Sequence, residues 1–181
     1  MQTELAHLVS SFDCDPNCGN PEHFNNFLRY NAISDGVIGM GVTHVALGYD
    51  DEGTPVKIQG FVTIKTNSVV SVCDGINNGV PAMEIAELAV DKDIARQGLG
   101  TMLIKHALSI IDEIRCKVGI KYAVVCADEL AIGFYEKVGF THLSDYYVIP
   151  REQWNAGCVP MCIDLTIGNE PYYGDVDDES F

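Results

Sequence analysis

The chain has 181 residues, with 11 Lys and Arg against 26 Asp and Glu, a net charge of −15 and 47% hydrophobic residues. That length suits one domain whose core needs neither disulfides nor a structural metal, and the acidity disfavours phosphate backbones and anionic lipid as general partners. No apolar run approaches the roughly 18 residues of a membrane span, and the first 30 residues lack the basic start and apolar centre of an export signal, so the cytoplasm is the expected compartment.

Residues 11–21 (SFDCDPNCGNP) are rich in turn formers. Pro21 suits a first helical position, and Phe24, Phe27 and Leu28 follow at helical spacing, so PEHFNNFLRYNA is read as the first helix. THVALGYD (43–50) and VKIQGFVTIKT (56–66) form an expected antiparallel hairpin turned by Asp50, Asp51, Glu52 and Gly53. A loop with Gly75, Asn77, Asn78 and Gly79 leads to the apolar strand MEIAELAV (83–90). Residues 98–118 then give the longest helix, with Leu99, Leu103, Ala107, Ile110, Ile111 and Ile114 on one stripe and Gly119 beyond its end. The strand YAVVCA (122–127) follows, and strand, helix and strand in that order predict a right-handed parallel βαβ unit. A short helix (129–138) stops at Gly139, and strands are expected at 145–150 and 158–166. A single domain thus covers 1–174, and residues 175–181 make an acidic, disordered tail.

Seven cysteines, Cys14, Cys18, Cys73, Cys116, Cys126, Cys158 and Cys162, are read as reduced thiols, with Cys126 and Cys162 as small core residues. The CxxxC pairs Cys14/Cys18 and Cys158/Cys162 differ from the usual zinc knuckle, and no metal is expected.

The chemistry concentrates in DKDIARQGLGT, the turn from Asp91 to Thr101 between a strand and the longest helix. Gly98 and Gly100 at a helix start let backbone N–H groups converge on an anion, and the helix dipole adds about half a positive charge there. Residues 92–117 hold five basic residues (Lys92, Arg96, Lys105, Arg115, Lys117) against three acids, a net +2 within the acidic chain. The turn is neither a P-loop nor a dinucleotide fingerprint, since GxxxxGK[ST] is absent and Leu103 stands where a third glycine belongs, so the pyrophosphate of another cofactor is expected.

AVDKDIARQGLGTMLI and AIGFYEKVGF (Ala131–Phe140) together resemble the GNAT superfamily of acyl-CoA-dependent N-acyltransferases, over residues 83–143. The FDC and FLR motifs, GFVTI through SVV, and VPM resemble more loosely the subgroup that includes toxin-antitoxin acetyltransferases. The resemblance implies an α/β (α+β) fold, with a single mixed, mostly antiparallel sheet of about six to seven strands flanked by helices around a βαβ acyl-CoA-binding core. It implies acetyl-CoA as co-substrate, held by Leu88, Ala89 and Val90 at the strand end, by Arg96, Gln97, Gly98, Leu99, Gly100 and Thr101 in the turn, and by Asp128 where many members have Asn. Ala95 departs from the family's Gln or Arg, which shifts that contact to Arg96 or removes it.

Acyl transfer to an amine needs a neutral amine, a polarised carbonyl and a protonated thiolate. Tyr135 matches the family's general acid, and a phenol with pKa near 10 can protonate a thiolate whose acid is near 8.5. Glu84 and Glu87 lie in an apolar strand and, three apart, are expected on opposite faces; each is a candidate base, a binder of the substrate ammonium or a salt-bridge partner. The Val90 N–H is the expected donor to the carbonyl. His106 and His142 read as surface residues, and Trp154 as acceptor-pocket lining or core. The leading expectation is an N-acetyltransferase acting on a small-molecule, peptide or protein amine, with no membrane partner and with a homodimer as one arrangement. Two alternatives stand beside it: a toxin acetylating aminoacyl-tRNA, and a non-catalytic acyl-CoA-binding module. The acidic remainder of the surface favours a cationic acceptor over tRNA.

Overall fold

The computed structural model describes residues 2–73, 76–143, 147–148 and 157–166. The expected tail, Trp154, Gly75 and most of the 145–150 strand lie outside them. Helix α1 (Gln2–Ser11) opens the chain, and α2 (Pro21–Asn26) runs through a π turn (Phe27–Asn31) into α3 (Ala32–Ile38). The helix at Pro21 is therefore the second helix, and it is longer than its sequence spacing suggested. Strands β1 (Val42–Tyr49), β2 (Pro55–Cys73) and β3 (Ile76–Val90) form an antiparallel meander. Asn77, Asn78 and Gly79, expected in a loop, belong to β3, because the β2–β3 ladder continues to Cys73↔Ile76.

Helix α4 (Leu99–Arg115) connects β3 to β4 (Tyr122–Ala127), which pairs parallel with β3 as the βαβ reading required. The short α5 (Ile132–Lys137) leads to β5 (Thr141–His142), β6 (Tyr147–Val148) and β7 (Val159–Asp164). The order is β1-β2-β3-β4-β7-β5, with β6 on the far end of β2, giving seven strands among the described residues.

The two sheet faces carry separate cores. Leu103, Ile104, Ala107 and Ile111 of α4 bury against Val62, Ile64, Met83, Ile85, Ala123 and Val125. On the other face Leu8, Phe12, Phe27, Leu28 and Ala32 cover Ile58, Phe61 and Ala89. Alternation along β2 supplies both, Phe61 to one side and Val62 to the other, and each fully buried side chain of this size contributes about 1.5–3 kcal/mol. Gly60 lets α4 seat closely, since a Cβ there would lie 2.9 Å from the Ala89 carbonyl oxygen and 3.0 Å from Leu103. Among the described residues no helix is long and apolar enough to cross a membrane.

Candidate active site

The pairing of β3 with β4 covers Ala82–Glu84, and beyond Glu84↔Val124 the strands part. A cavity of about 870 Å³ fills the wedge, lined by Ala86–Val90 on one side, Cys126 and Asp128 on the other, and Phe134 and Tyr135 of α5. The Asp91 N–H donates to the Gln59 carbonyl. Strand alternation therefore turns the N–H groups of Leu88 and Val90 away from β2, toward the gap that β4 has vacated. On the same edge the Val90 carbonyl accepts from the Asp15 N–H, which leaves the N–H groups of Leu88 and Val90 as the donors that this edge turns to the cavity.

The two glutamates do not sit as their spacing predicted. The β2–β3 register passes from Thr63↔Glu87 to Ile64↔Ile85, which leaves Ala86 without an opposite residue. This β-bulge resets the alternation: Ile85, Leu88 and Val90 pack toward α4, while Ala89 faces the α1–α2 side. Glu84 and Glu87 consequently share one face instead of pointing apart. Their fates differ. Glu84 is buried off the cavity wall, its carboxylate accepting from Asn67 Nδ2 at 2.7 Å and pairing with Lys65 Nζ at 3.1 Å. Glu87 lines the cavity, and its Oε2 lies 2.9 Å from Nε2 of His23 on α2.

The turn after β3 is organised by Asp91, which is completely buried. Its Oδ1 accepts from the Asp93 N–H at 3.0 Å and pairs with Lys57 Nζ at 2.7 Å, and its Oδ2 accepts from the Asp13 N–H at 3.1 Å. The Asp15 N–H donates to the Val90 carbonyl, so the segment 13–15 is laced to the end of β3. Arg96 and Gly98 then adopt positive φ, 64° and 90°, and α4 begins at Leu99. Such left-handed steps gather successive N–H groups into a concave anion seat, and this one stands at the start of the longest helix. Ala95, Arg96, Gly98, Gly100 and Thr101 line the cavity, together with Leu88, Ala89, Val90 and Asp128. The Leu99 side chain packs onto the sheet core and the Gln97 side chain is exposed, its Nε2 reaching back to the Asp93 carbonyl, so what these two residues are expected to offer a cofactor is their backbone.

The cationic segment is less of a patch than its composition implied. Lys92 pairs with Asp13 at 2.7 Å and Arg115 with Asp112, and Arg96 is the one of its five basic residues on the cavity wall. Cysteine chemistry also departs from the reduced reading, because Cys126 and Cys158 are joined, with Cα atoms 5.4 Å apart, and both line the cavity. Cys158 is thereby bonded to Cys126 rather than left as a thiol beside Cys162 of the CxxxC spacing. Cys14 and Cys18 do lie together, their sulfurs 2.9 Å apart, and burial pushes the Cys14 thiol far up.

The acetyltransferase (GNAT) family model matches residues 13–140. The chain belongs to the GNAT acetyltransferase family. Solved structures with the same fold include a tyrosine-to-phenylalanine mutant of KacT, with a TM-score of 0.67, 19% identity, and 88% of each chain covered. A second is such a mutant of the AtaT toxin bound to the C-terminus of the antitoxin AtaR and acetyl-CoA, with a TM-score of 0.65, 19% identity, and 86% of this chain and 84% of that one covered. A third is AtaT complexed with acetyl-methionyl-tRNAfMet, with a TM-score of 0.65, 20% identity and 86% of each chain covered.

In this GNAT chain the FYEKVGF motif fixes Tyr135 through its own rings. Phe134 and Phe140 contact the Tyr135 ring edge-to-face at 5.1 and 5.5 Å, and the Tyr135 carbonyl accepts from the Phe140 N–H as the chain leaves α5. Burial, and then the negative charge of Glu87, raise the Tyr135 pKa well above the ordinary phenol value, so the hydroxyl stays protonated at neutral pH. Asp128 accepts from the Leu130 N–H at 2.9 Å and so caps the turn before α5 from the cavity wall. Sequence reasoning missed His23, Asp15 and the Cys126–Cys158 link, all on that wall. His23 follows a helix cap and carries no local signal of a partner 64 residues away.

Proposed function

We propose that the protein is an acetyl-CoA-dependent N-acetyltransferase that moves the acetyl group to a primary amine by direct attack on the thioester. The amine nitrogen bonds to the carbonyl carbon, the C–S bond breaks, and Tyr135 gives its hydroxyl proton to the departing sulfur. The observation that carries this reading is convergence: Leu88 and Val90 at the end of β3, the Arg96–Gly98 turn and buried Tyr135 border one cavity. In this reading the Val90 N–H is the donor that polarises the carbonyl. Asp15, Glu87 and Asp128 give the same cavity an acidic wall, which favours a cationic amine. Aminoacyl-tRNA is the competing acceptor, suggested by the tRNA complex of AtaT, and the charge of −15 weighs against it.

The test is CoA release from acetyl-CoA over a panel of diamines, lysine peptides and aminoacyl-tRNA. Release with the cationic amines supports the reading, and release with aminoacyl-tRNA alone replaces the acceptor class. Silence with every acceptor, despite CoA binding, returns the non-catalytic module. Tyr135→Phe is expected to lower kcat by about 10²-fold or more with CoA affinity within a few fold; unchanged turnover removes Tyr135 as the acid.

A further inference from the structure

We propose that His23 and Glu87 form the proton acceptor for the incoming ammonium, a histidine–carboxylate dyad assembled from α2 and the β3 bulge on the acceptor side of the cavity. The inference rests on the acetyltransferase reading and names the base that reading lacks.

Two backbone devices bring the pair together. Asn20 caps α2, its Oδ1 accepting from the His23 N–H at 3.2 Å, which fixes where the histidine leaves the helix. The bulge at Ala86 brings Glu87 to the face that α2 covers. The resulting contact is graded in exposure: the His23 side chain is 40% accessible and that of Glu87 18%. An incoming amine can reach the imidazole while the carboxylate behind it stays shielded. Glu84, on the same strand and face, shows what a structural carboxylate looks like here. It is paired with a lysine, bonded by an amide and kept off the cavity wall. Glu87 instead pairs with an imidazole on the cavity wall, a ring whose two nitrogens can accept a proton at one and donate at the other.

With the Nε2–H donated to Glu87, Nδ1 is the remaining acceptor of the neutral ring. The ammonium N–H bond breaks, the proton passes to Nδ1, and the Glu87 carboxylate stabilises the imidazolium. The freed lone pair attacks the thioester carbonyl, and the sulfur leaves with its bonding electrons and takes the Tyr135 proton. Of the two protons the amine sheds in becoming an amide, one restores Tyr135 and one goes to solvent.

The dyad also couples base to acid. The charge of Glu87 helps to hold the Tyr135 proton in the resting state. Once the dyad carries the amine's proton that charge is neutralised, and Tyr135 becomes a stronger acid as the thiolate departs. Other charged groups set the background: Lys65 on β2 and Glu84 on β3 act on Glu87 in opposite senses, Asp15 and Asp128 share the wall, and Glu22 precedes His23 on α2.

The experiment compares His23→Gln and Glu87→Gln with the parent chain on two acceptors, 1,4-diaminobutane and hydroxylamine, whose nitrogen is already neutral at pH 7. The expected result is a loss of about 10²-fold in kcat/KM on the diamine and a far smaller one on hydroxylamine. The diamine rate of each variant should climb steadily with pH as free amine accumulates, where the parent levels off. Equal losses on both acceptors, an unaltered pH profile, or loss of CoA binding in both variants overturns the dyad and makes the pair structural. A parent chain silent with both amines and with the wider panel instead sinks the acetyltransferase reading, and the dyad with it.

Discussion

The cofactor half of the cavity and its acceptor half are built by different means. The cofactor half runs from Leu88 to Thr101 in one stretch: a strand end, a turn with positive φ at Arg96 and Gly98, and a helix start. The binding groups proposed there are backbone N–H groups that any side chains with compatible φ would present. The proposed acceptor half draws His23 from α2, Glu87 from β3 and Cys158 before β7, and its chemistry lies in side chains. The contrast teaches that a site presented by backbone asks of its side chains only compatible φ, which Ala95 does not disturb, while a site presented by side chains depends on the identity of each residue.

The largest expected effect comes where the halves are joined. Asp91 holds the segment 13–15 to the end of β3 and pairs with Lys57, so Asp91→Ala leaves Lys57 and two backbone donors short of their buried partner. A loss of about 3–5 kcal/mol in urea unfolding is expected, with CoA binding and turnover falling together. A variant that loses turnover alone would show that the halves are not joined there. Next in size is reduction of Cys126–Cys158, which closes a loop with a sequence separation of 32. Loss of that closure costs about 3–4 kcal/mol on the chain-entropy estimate. A lower melting temperature in reductant, absent in a Cys126→Ala/Cys158→Ala double variant, is the expected outcome. CoA affinity should hold within a few fold, because the cofactor half lies on other elements.

How much of this could be read beforehand follows the same division. The βαβ unit, the β1–β2 hairpin and the glycine turn were legible because each is local, set by periodicity or by residues within one turn. The shared face of Glu84 and Glu87 was not. It depends on Ala86 being passed over in the β2–β3 register, and no residue in MEIAELAV marks that position. His23 and the Cys126–Cys158 link were hidden for the same reason, since their partners lie 64 and 32 residues away. Helix α1 escaped because it lies ahead of the turn-rich 11–21 stretch that reads as the lead-in to a first helix, although Leu8 and Phe12 anchor it in the core.

Gly98→Val tests the cofactor half alone. A β-branched residue at φ 90° is strained by about 1–3 kcal/mol, and the turn relaxes by swinging its N–H groups off the seat. CoA affinity should fall about 100-fold, close to 2.7 kcal/mol, while the His23–Glu87 contact persists. Retained affinity would remove the turn as the phosphate seat.

The smallest effect is the most discriminating for the acceptor half, and it concerns stability against pH. Burial lifts the Glu87 carboxyl above the ordinary carboxylate range, although His23 and Lys65 pull it down. A carboxyl with a raised folded pKa binds its proton more tightly folded than unfolded. Its contribution favours the fold below the unfolded value of about 4.3 and is lost as pH rises through the higher folded value. The amide introduced by Glu87→Gln cannot titrate, so that variant should gain stability relative to the parent between about pH 4 and pH 7, measured by urea unfolding at both. Such a gain means that the parent keeps a destabilising carboxylate beside Tyr135, the cost of an electrostatically poised site. If the variant instead loses ground as pH rises, the attraction to His23 outweighs desolvation, and Glu87 is a structural partner of the same kind as Glu84.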